Sequence, residues 1–194
     1  MVVGRPAREL EQLQAEFLAA CLRVDSEGED LGEPGDVTWF PDRTYAGRTY
    51  VPATARTSAG FELFGHVSYA RDEDGEPGDF AASADFTGET AEANPDWAID
   101  LSDDVIGSWR GEHGAAAAMT LVWGVPLVRD GAIATAELAD LAVDQCTLIE
   151  GRFTLLAPDD YRGDTLDVKV FDRRGSELAH ESLYTDDGEE DEDS

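Results

Sequence analysis

Near its C-terminal end the chain alternates apolar and polar positions with a period of two, and that period constrains the fold more than any other feature. Leu166, Val168 and Val170 interleave with Asp167, Lys169 and Phe171. The first set falls on one face of a strand and the second on the other. Asp172-Arg173-Arg174-Gly175 follows. Aspartate can bond the backbone two residues on and glycine takes a positive φ without penalty, so this reads as a type I turn closed by a glycine bulge. The stretch is therefore a β-hairpin leaving an antiparallel sheet.

The same reading applies from residue 37 onward. Residues 37–40 (Val-Thr-Trp-Phe) form a short strand stopped by Pro41-Asp42. A tight hairpin is expected around Ala46-Gly47, between two copies of Arg-Thr-Tyr. Phe61, Leu63, Gly65, Val67 and Tyr69 share one strand face, and Glu62, Phe64, His66 and Ser68 share the other. Residues 80–86 alternate weakly. Residues 97–101 and 105–109 read as two short strands around Asp103-Asp104. Residues 115–125, the longest apolar run, are a central strand or a short helix leading into one. Thr120, Val122 and Trp123 favour a strand in the second half. Asp130-Gly131 signals a further hairpin. Residues 137–145 fit a short helical face or a strand, and strands at 146–149 and 153–156 bracket Glu150-Gly151.

Only the N-terminus departs from this pattern. Leu10, Leu13, Phe17, Cys21 and Val24 recur at spacings of three and four, one apolar stripe of a helix over residues 6–24 with Pro6 in its first turn. The expected organisation is an N-terminal helix within residues 1–24, an acidic linker at 25–36, a β domain at 37–185 and a disordered acidic tail at 186–194. The linker holds six acids, three glycines and one proline, and the tail holds seven acids in nine residues. Gly-Glu-Pro-Gly-Asp occurs at 32–36 and again at 75–79, as similar turns before strands. One helix followed by nine or ten short strands predicts a mainly β fold, an antiparallel β-sandwich of immunoglobulin-like or related type. Residues 153–161 resemble the penultimate strands of an immunoglobulin-like sandwich, and the resemblance implies a corner role for Tyr161.

Charge is the compositional outlier. Against 14 Lys and Arg stand 43 Asp and Glu, a net −29 over 194 residues. Such a surface suits a GC-rich genome or a salt-rich cytoplasm, and it opposes direct nucleic-acid binding, which needs a basic face. No stretch approaches 18 apolar residues, so no membrane partner is expected and the expected location is the cytoplasm. Cys21 and Cys146 sit among apolar residues and read as buried thiols.

Catalytic signatures do not emerge. His66, His113 and His180 lack ligand spacing, Asp72 does not open an EF-hand loop, and no Gly-x-Ser-x-Gly or phosphate-loop motif is present. No cofactor or metal is expected. Among the tryptophans, Trp109 and Trp123 read as core, while Trp39 and Trp97 suit core or surface equally. Trp39 and Phe40 with Tyr45 and Tyr50 form the best aromatic cluster for a recognition face. Leu13 and Phe17 are the candidate contacts of the helix. The expected function is a non-enzymatic protein-interaction module, or a small subunit of a larger assembly, whose partner is another protein. The alternatives are an acidic nucleic-acid mimic that inhibits a DNA-binding protein, and a small enzyme or ligand-binding protein on a β scaffold.

Overall fold

A computed structural model describes residues 5–111, 114, 116–159 and 165–183. His113, Tyr161 and the acidic segment 186–194, singled out above, lie outside them. The described chain is mainly β: one helix and twelve strands in antiparallel sheets. Helix α1 spans Ala7–Cys21, with Pro6 at its N-terminal boundary. Strands β1 (Pro34–Trp39), β2 (Arg43–Tyr45), β3 (Arg48–Thr57), β4 (Glu62–Arg71) and β5 (Pro77–Thr87) form the first sheet, ordered β1-β3-β4-β5 with β2 on β3. Strands β6 (Ile99–Arg110), β7 (Ala116–Pro126) and β10 (Phe153–Asp159) form the second, ordered β10-β7-β6. Strands β8 (Ile133–Leu138), β9 (Leu141–Thr147), β11 (Asp167–Phe171) and β12 (Glu177–Ser182) form the third, ordered β12-β11-β8-β9.

Three apolar cores follow from the alternation of side chains along these strands. Leu13, Phe17 and Cys21 of α1 pack on Val51, Ala53 and Ala55 of β3 and on Leu63, Val67 and Tyr69 of β4. The opposite faces of the same strands contribute Tyr50 and Phe64 to a second core, which they share with Leu121 and Trp123 of β7. The other face of β7 contributes Val122 to a third core, with Phe153 and Leu155 of β10, Ala134 and Ala136 of β8, and Val168 and Val170 of β11. Strands β4 and β7 are thus buried on both faces. A two-sided apolar strand reads as a run without clear alternation, which is why residues 115–125 look helix-compatible in sequence.

The helix also carries a polar anchor. The Glu9 carboxylate accepts hydrogen bonds from Arg5, from the Tyr69 hydroxyl at 3.1 Å and from Arg71 at 3.4 Å. Both guanidinium groups lie over the Tyr69 ring, 5.6 and 5.2 Å from its centre. A buried carboxylate is tolerated because two cations and a hydroxyl satisfy it.

Turns decide the topology, and several differ from the sequence reading. The hairpin at Ala46-Gly47 forms as expected, with both residues at positive φ, 48° and 80°. Asp130-Gly131 makes no hairpin: β7 and β8 belong to different sheets, because β7 is already flanked by β6 and β10. The segment 137–145 is no helix but a two-residue hairpin, Leu138 opposite Leu141, with Ala139 and Asp140 at φ 49° and 60°. The two strands expected at 97–101 and 105–109 are the single strand β6, kinked by a bulge between Val105 and Gly107. Strand β1 begins at Pro34, within the acidic segment 25–36.

Candidate ligand cleft between two sheets

The residues named from sequence as an interaction face are largely interior. Leu13 and Phe17 are fully buried under α1. Trp39 is half-buried and meets Phe17 edge-on, 6.0 Å between ring centres. Phe40 and Tyr50 are buried in the second core, and Tyr50 packs 5.4 Å from the His66 ring. Tyr45 is half-buried and its hydroxyl donates to the Ser108 carbonyl at 2.9 Å. The structure therefore gathers Phe40, Tyr45 and Tyr50 into one cluster and sends Leu13, Phe17 and Trp39 to another.

A different constellation faces solvent. The face of β4 that carries Glu62, Phe64 and His66 lies against β6, where the first and second sheets approach each other. Glu62 and Phe64 of β4 and Asp100, Leu101, Ser102 and Asp103 of β6 line a cleft of about 160 Å³, together with Thr87, Glu89 and Trp97. Strand alternation places Asp100, Ser102 and Asp104 on one face of β6, as it places Glu62, Phe64 and His66 on one face of β4.

The carboxyl groups in the cleft are perturbed. Burial pushes Glu62 up to about 7, and the neighbouring charge of Asp100 pushes the same way while Arg56 opposes it. Burial also raises Asp100, again against Arg56. Asp103 is raised by burial, then by the charges of Asp159 and Asp104. The Arg56 guanidinium itself is bonded to Glu92 at 2.9 Å, outside the cleft. Among the described residues no cation stands within ion-pair distance of Glu62 or Asp100.

Deeper between the sheets a histidine stands beside a carboxylate without the alignment of a hydrogen bond. His66 Nδ1 faces Asp104 Oδ2 at 3.1 Å. Burial would raise the Asp104 carboxyl, but the polar groups of His66 and Ser83 beside it outweigh burial and hold it below the usual range. This pair ties β4 and β5 to β6, and the acid pair beside it lacks a comparable partner.

Two other cavities are found among the described residues. One, about 360 Å³, lies between α1 and β5 among Pro6, Arg8, Glu9, Gln12, Glu76, Pro77 and Phe80. Its charges are mixed and Glu9 is already satisfied, so it presents no unmet demand for a ligand. The other, about 160 Å³, adjoins the acidic cleft among Trp97, Ile99, Leu101, Glu181 and Ser182. Among the described residues no group of three or more ligating side chains could hold a metal ion, and no helix is long and apolar enough to cross a membrane.

Sequence reading found the alternating faces of β4 but not the cleft. Glu62 and Asp100 are 38 positions apart in the chain, and nothing local marks either one. The available signal was a glutamate between Phe61 and Leu63 on a strand whose other polar-face members, Phe64 and His66, are not surface residues by type. Comparison with known proteins adds no assignment: no family model, no curated protein and no solved structure matches the chain.

Proposed function

We propose that the chain is a non-enzymatic protein-interaction module, a small subunit of a larger assembly, that recognises a cationic side chain of its partner in the cleft between β4 and β6. The supporting observation is the pair Glu62 and Asp100, partly buried, mutually repelling and without a cation in contact among the described residues. Two such carboxylates are costly in the free protein. An ammonium or guanidinium group entering between them removes that cost. Phe64, Leu101 and Trp97 supply apolar walls for the stem behind the charge. A net charge of −29 draws a basic partner from a distance.

The layered cores support an antiparallel β-sandwich of immunoglobulin-like or related type as the scaffold. In such a scaffold recognition surfaces sit at the margins of the sheets, as this cleft does.

The test is a titration of the full chain with n-butylammonium in low-salt buffer at pH 8, followed by amide and indole NMR shifts. The expected result is saturable movement centred on Trp97, Glu62 and Asp100, weakened at least fivefold by Glu62→Gln. Unsaturable shifts spread over all acidic loops, unaffected by that substitution, would reject the reading. A pull-down from native lysate at native salt then identifies the partner.

A further inference from the structure

The joint between the first two sheets carries a titratable contact that the proposed function does not use. His66 of β4 is only 8% exposed, and its Nδ1 lies 3.1 Å from Asp104 Oδ2 of β6. That nitrogen is buried and has no hydrogen-bond partner, so the two groups are close without being aligned. Tyr50 of β3 packs against the imidazole, 5.4 Å between ring centres. Ser83 of β5 stands opposite His66 in strand register and beside the Asp104 carboxyl. The other charged groups on the strand faces that meet here are Glu62 on β4, Arg48 and Arg56 on β3, Asp79 and Asp85 on β5, and Asp100 on β6. Arg48 is bonded to Ser68 and Asp79, and Arg56 to Glu92. Asp104 is the charge in contact with the ring.

A misaligned pair responds to charge more than to hydrogen bonding. A neutral imidazole gains little from it, because a hydrogen bond weakens steeply away from linearity. An imidazolium gains whatever the angle, since Coulomb attraction depends on distance and burial weakens its screening. The Tyr50 ring within about 6 Å also favours a cation. Asp104 suits the partner role. Burial would raise its carboxyl, but His66 and then Ser83 hold it below the usual range, so it stays ionised into weak acid. Histidine is the side chain type that gains charge between about pH 8 and 5. We propose that His66 and Asp104 form a proton-operated latch between the first and second sheets, closed in weak acid and slack above neutrality. The sign follows from linkage. Folding gives the imidazolium a carboxylate that the unfolded chain does not, so the stabilisation is present in weak acid and is lost as pH rises through the histidine range. It is lost again in strong acid, once Asp104 is protonated. The cleft occupies the same two faces, with Glu62 and Phe64 along β4 from His66, and Asp100 and Ser102 along β6 from Asp104. The latch therefore sets how firmly the walls of the cleft are held, whatever the cleft binds.

Urea unfolding of the full chain tests this at pH 5.5 and pH 8, with wild type, Asp104→Asn, His66→Gln and the double substitution. The cycle isolates the pair, because the titration of Glu62, Asp100 and Asp103 is common to its opposite sides. At pH 5.5 the two substitutions should be coupled by about tenfold in the unfolding equilibrium constant, the worth of a charge-assisted contact. At pH 8 the coupling should fall within about twofold, as for a misaligned neutral contact. Equal coupling at the two pH values, nil included, would mean a contact that protons do not operate and would overturn the proposal. So would stronger coupling at pH 8, the mark of a neutral hydrogen bond. Nitrogen-15 resonances of the imidazole rings in the wild-type chain give a second readout that requires no variant to fold. Both His66 ring nitrogens should carry a proton at pH 5.5, and only one at pH 8. A ring neutral at both, or charged at both, would equally reject the latch.

Discussion

Glu62→Gln should stabilise the protein at alkaline pH and leave it unchanged at acid pH. The wild-type carboxyl titrates near 7 in the fold, against an ordinary value of 4.5. Between those values the folded state holds a proton that the unfolded state has lost. Stability from this group is therefore fully present below pH 4.5, declines as pH rises through 7, and is absent above it. The shift corresponds to a ceiling of about 3 kcal/mol at roughly 1.4 kcal/mol per pH unit. The side chain is only partly buried, so solvent screening reduces the expected effect to about 1–2 kcal/mol. Asp100 and Asp103 are raised as well and slope the same way. Asp104 is lowered, so its contribution is present above about pH 4 and is lost toward stronger acid. The measurement is urea unfolding followed by Trp fluorescence, for both proteins, at pH 4.5, 6 and 8. Glutamine keeps the shape and cannot ionise, so the difference between the two curves isolates residue 62. It should be near zero at pH 4.5 and reach about 1–2 kcal/mol in favour of Glu62→Gln at pH 8, or a few degrees in Tm. A substituted protein equal to or weaker than wild type at pH 8 would mean that Glu62 is adequately solvated or paired with Arg56. The strained acid pair behind the functional proposal would then not exist.

Other predictions concern the scaffold. Phe17→Ala should cost about 3–5 kcal/mol in urea unfolding, because the ring is fully buried against Trp39 and the first sheet; unchanged monomer stability with loss of an oligomer would place the helix at an interface instead. Melting temperature should rise from dilute buffer to molar KCl, since a charge of −29 opposes compaction and the screening length shrinks to about 3 Å at 1 M; equal midpoints would show that the acids are locally balanced. Ala139→Asn should stabilise by about 0.5–1 kcal/mol, because Ala139 holds φ 49° in a two-residue turn where asparagine is favoured; a loss would show that the turn is held by something other than its own backbone preference.

Much of the fold is legible in the sequence where one face of an element is buried and the other is wet. The helix shows its stripe because only one side of α1 meets the sheet, and Leu13 and Phe17 fall on that side. The last hairpin shows its period because β11 fully buries Val168 and Val170 while Asp167 and Lys169 are only partly covered. Where both faces are covered the signal fades: β7 buries Leu121 and Trp123 on one side and Val122 on the other, so its residues read as a plain apolar run. Turns were legible when they used glycine, as at Ala46-Gly47. The Ala139-Asp140 turn uses no glycine and was hidden inside an apparent helix. Pairing was the least legible, since Asp130-Gly131 has a hairpin's residues and yet carries the chain between sheets. A local signal gives a reversal of direction and does not say which strand already occupies the neighbouring edge.

The same limit explains why the cleft was missed while the charge was obvious. Of the 43 acids, the most visible are those clustered in loops, where water and salt solvate them and nothing is demanded of a partner. The informative ones are isolated in sequence. Glu62 stands alone on β4, and Asp100 sits in a strand between Ile99 and Leu101. Glu62 and Asp100 are ordinary until two sheets bring them into one cleft with Trp97. Composition thus separates two roles for one residue type. Acids massed in loops set solubility and long-range attraction, and they tolerate exchange of one carboxylate for another. On the proposed reading, acids brought singly into the cleft would set specificity, because each is desolvated by strands it does not belong to. Neutralising three loop carboxylates, Asp72, Glu73 and Asp74, should therefore leave the affinity for a blocked lysine peptide within about twofold at moderate salt. Neutralising Glu62 alone should cost fivefold or more under the same conditions. Equal losses from the two substitutions would show that the cleft acts only through the overall charge of the chain, and that no specific site is present.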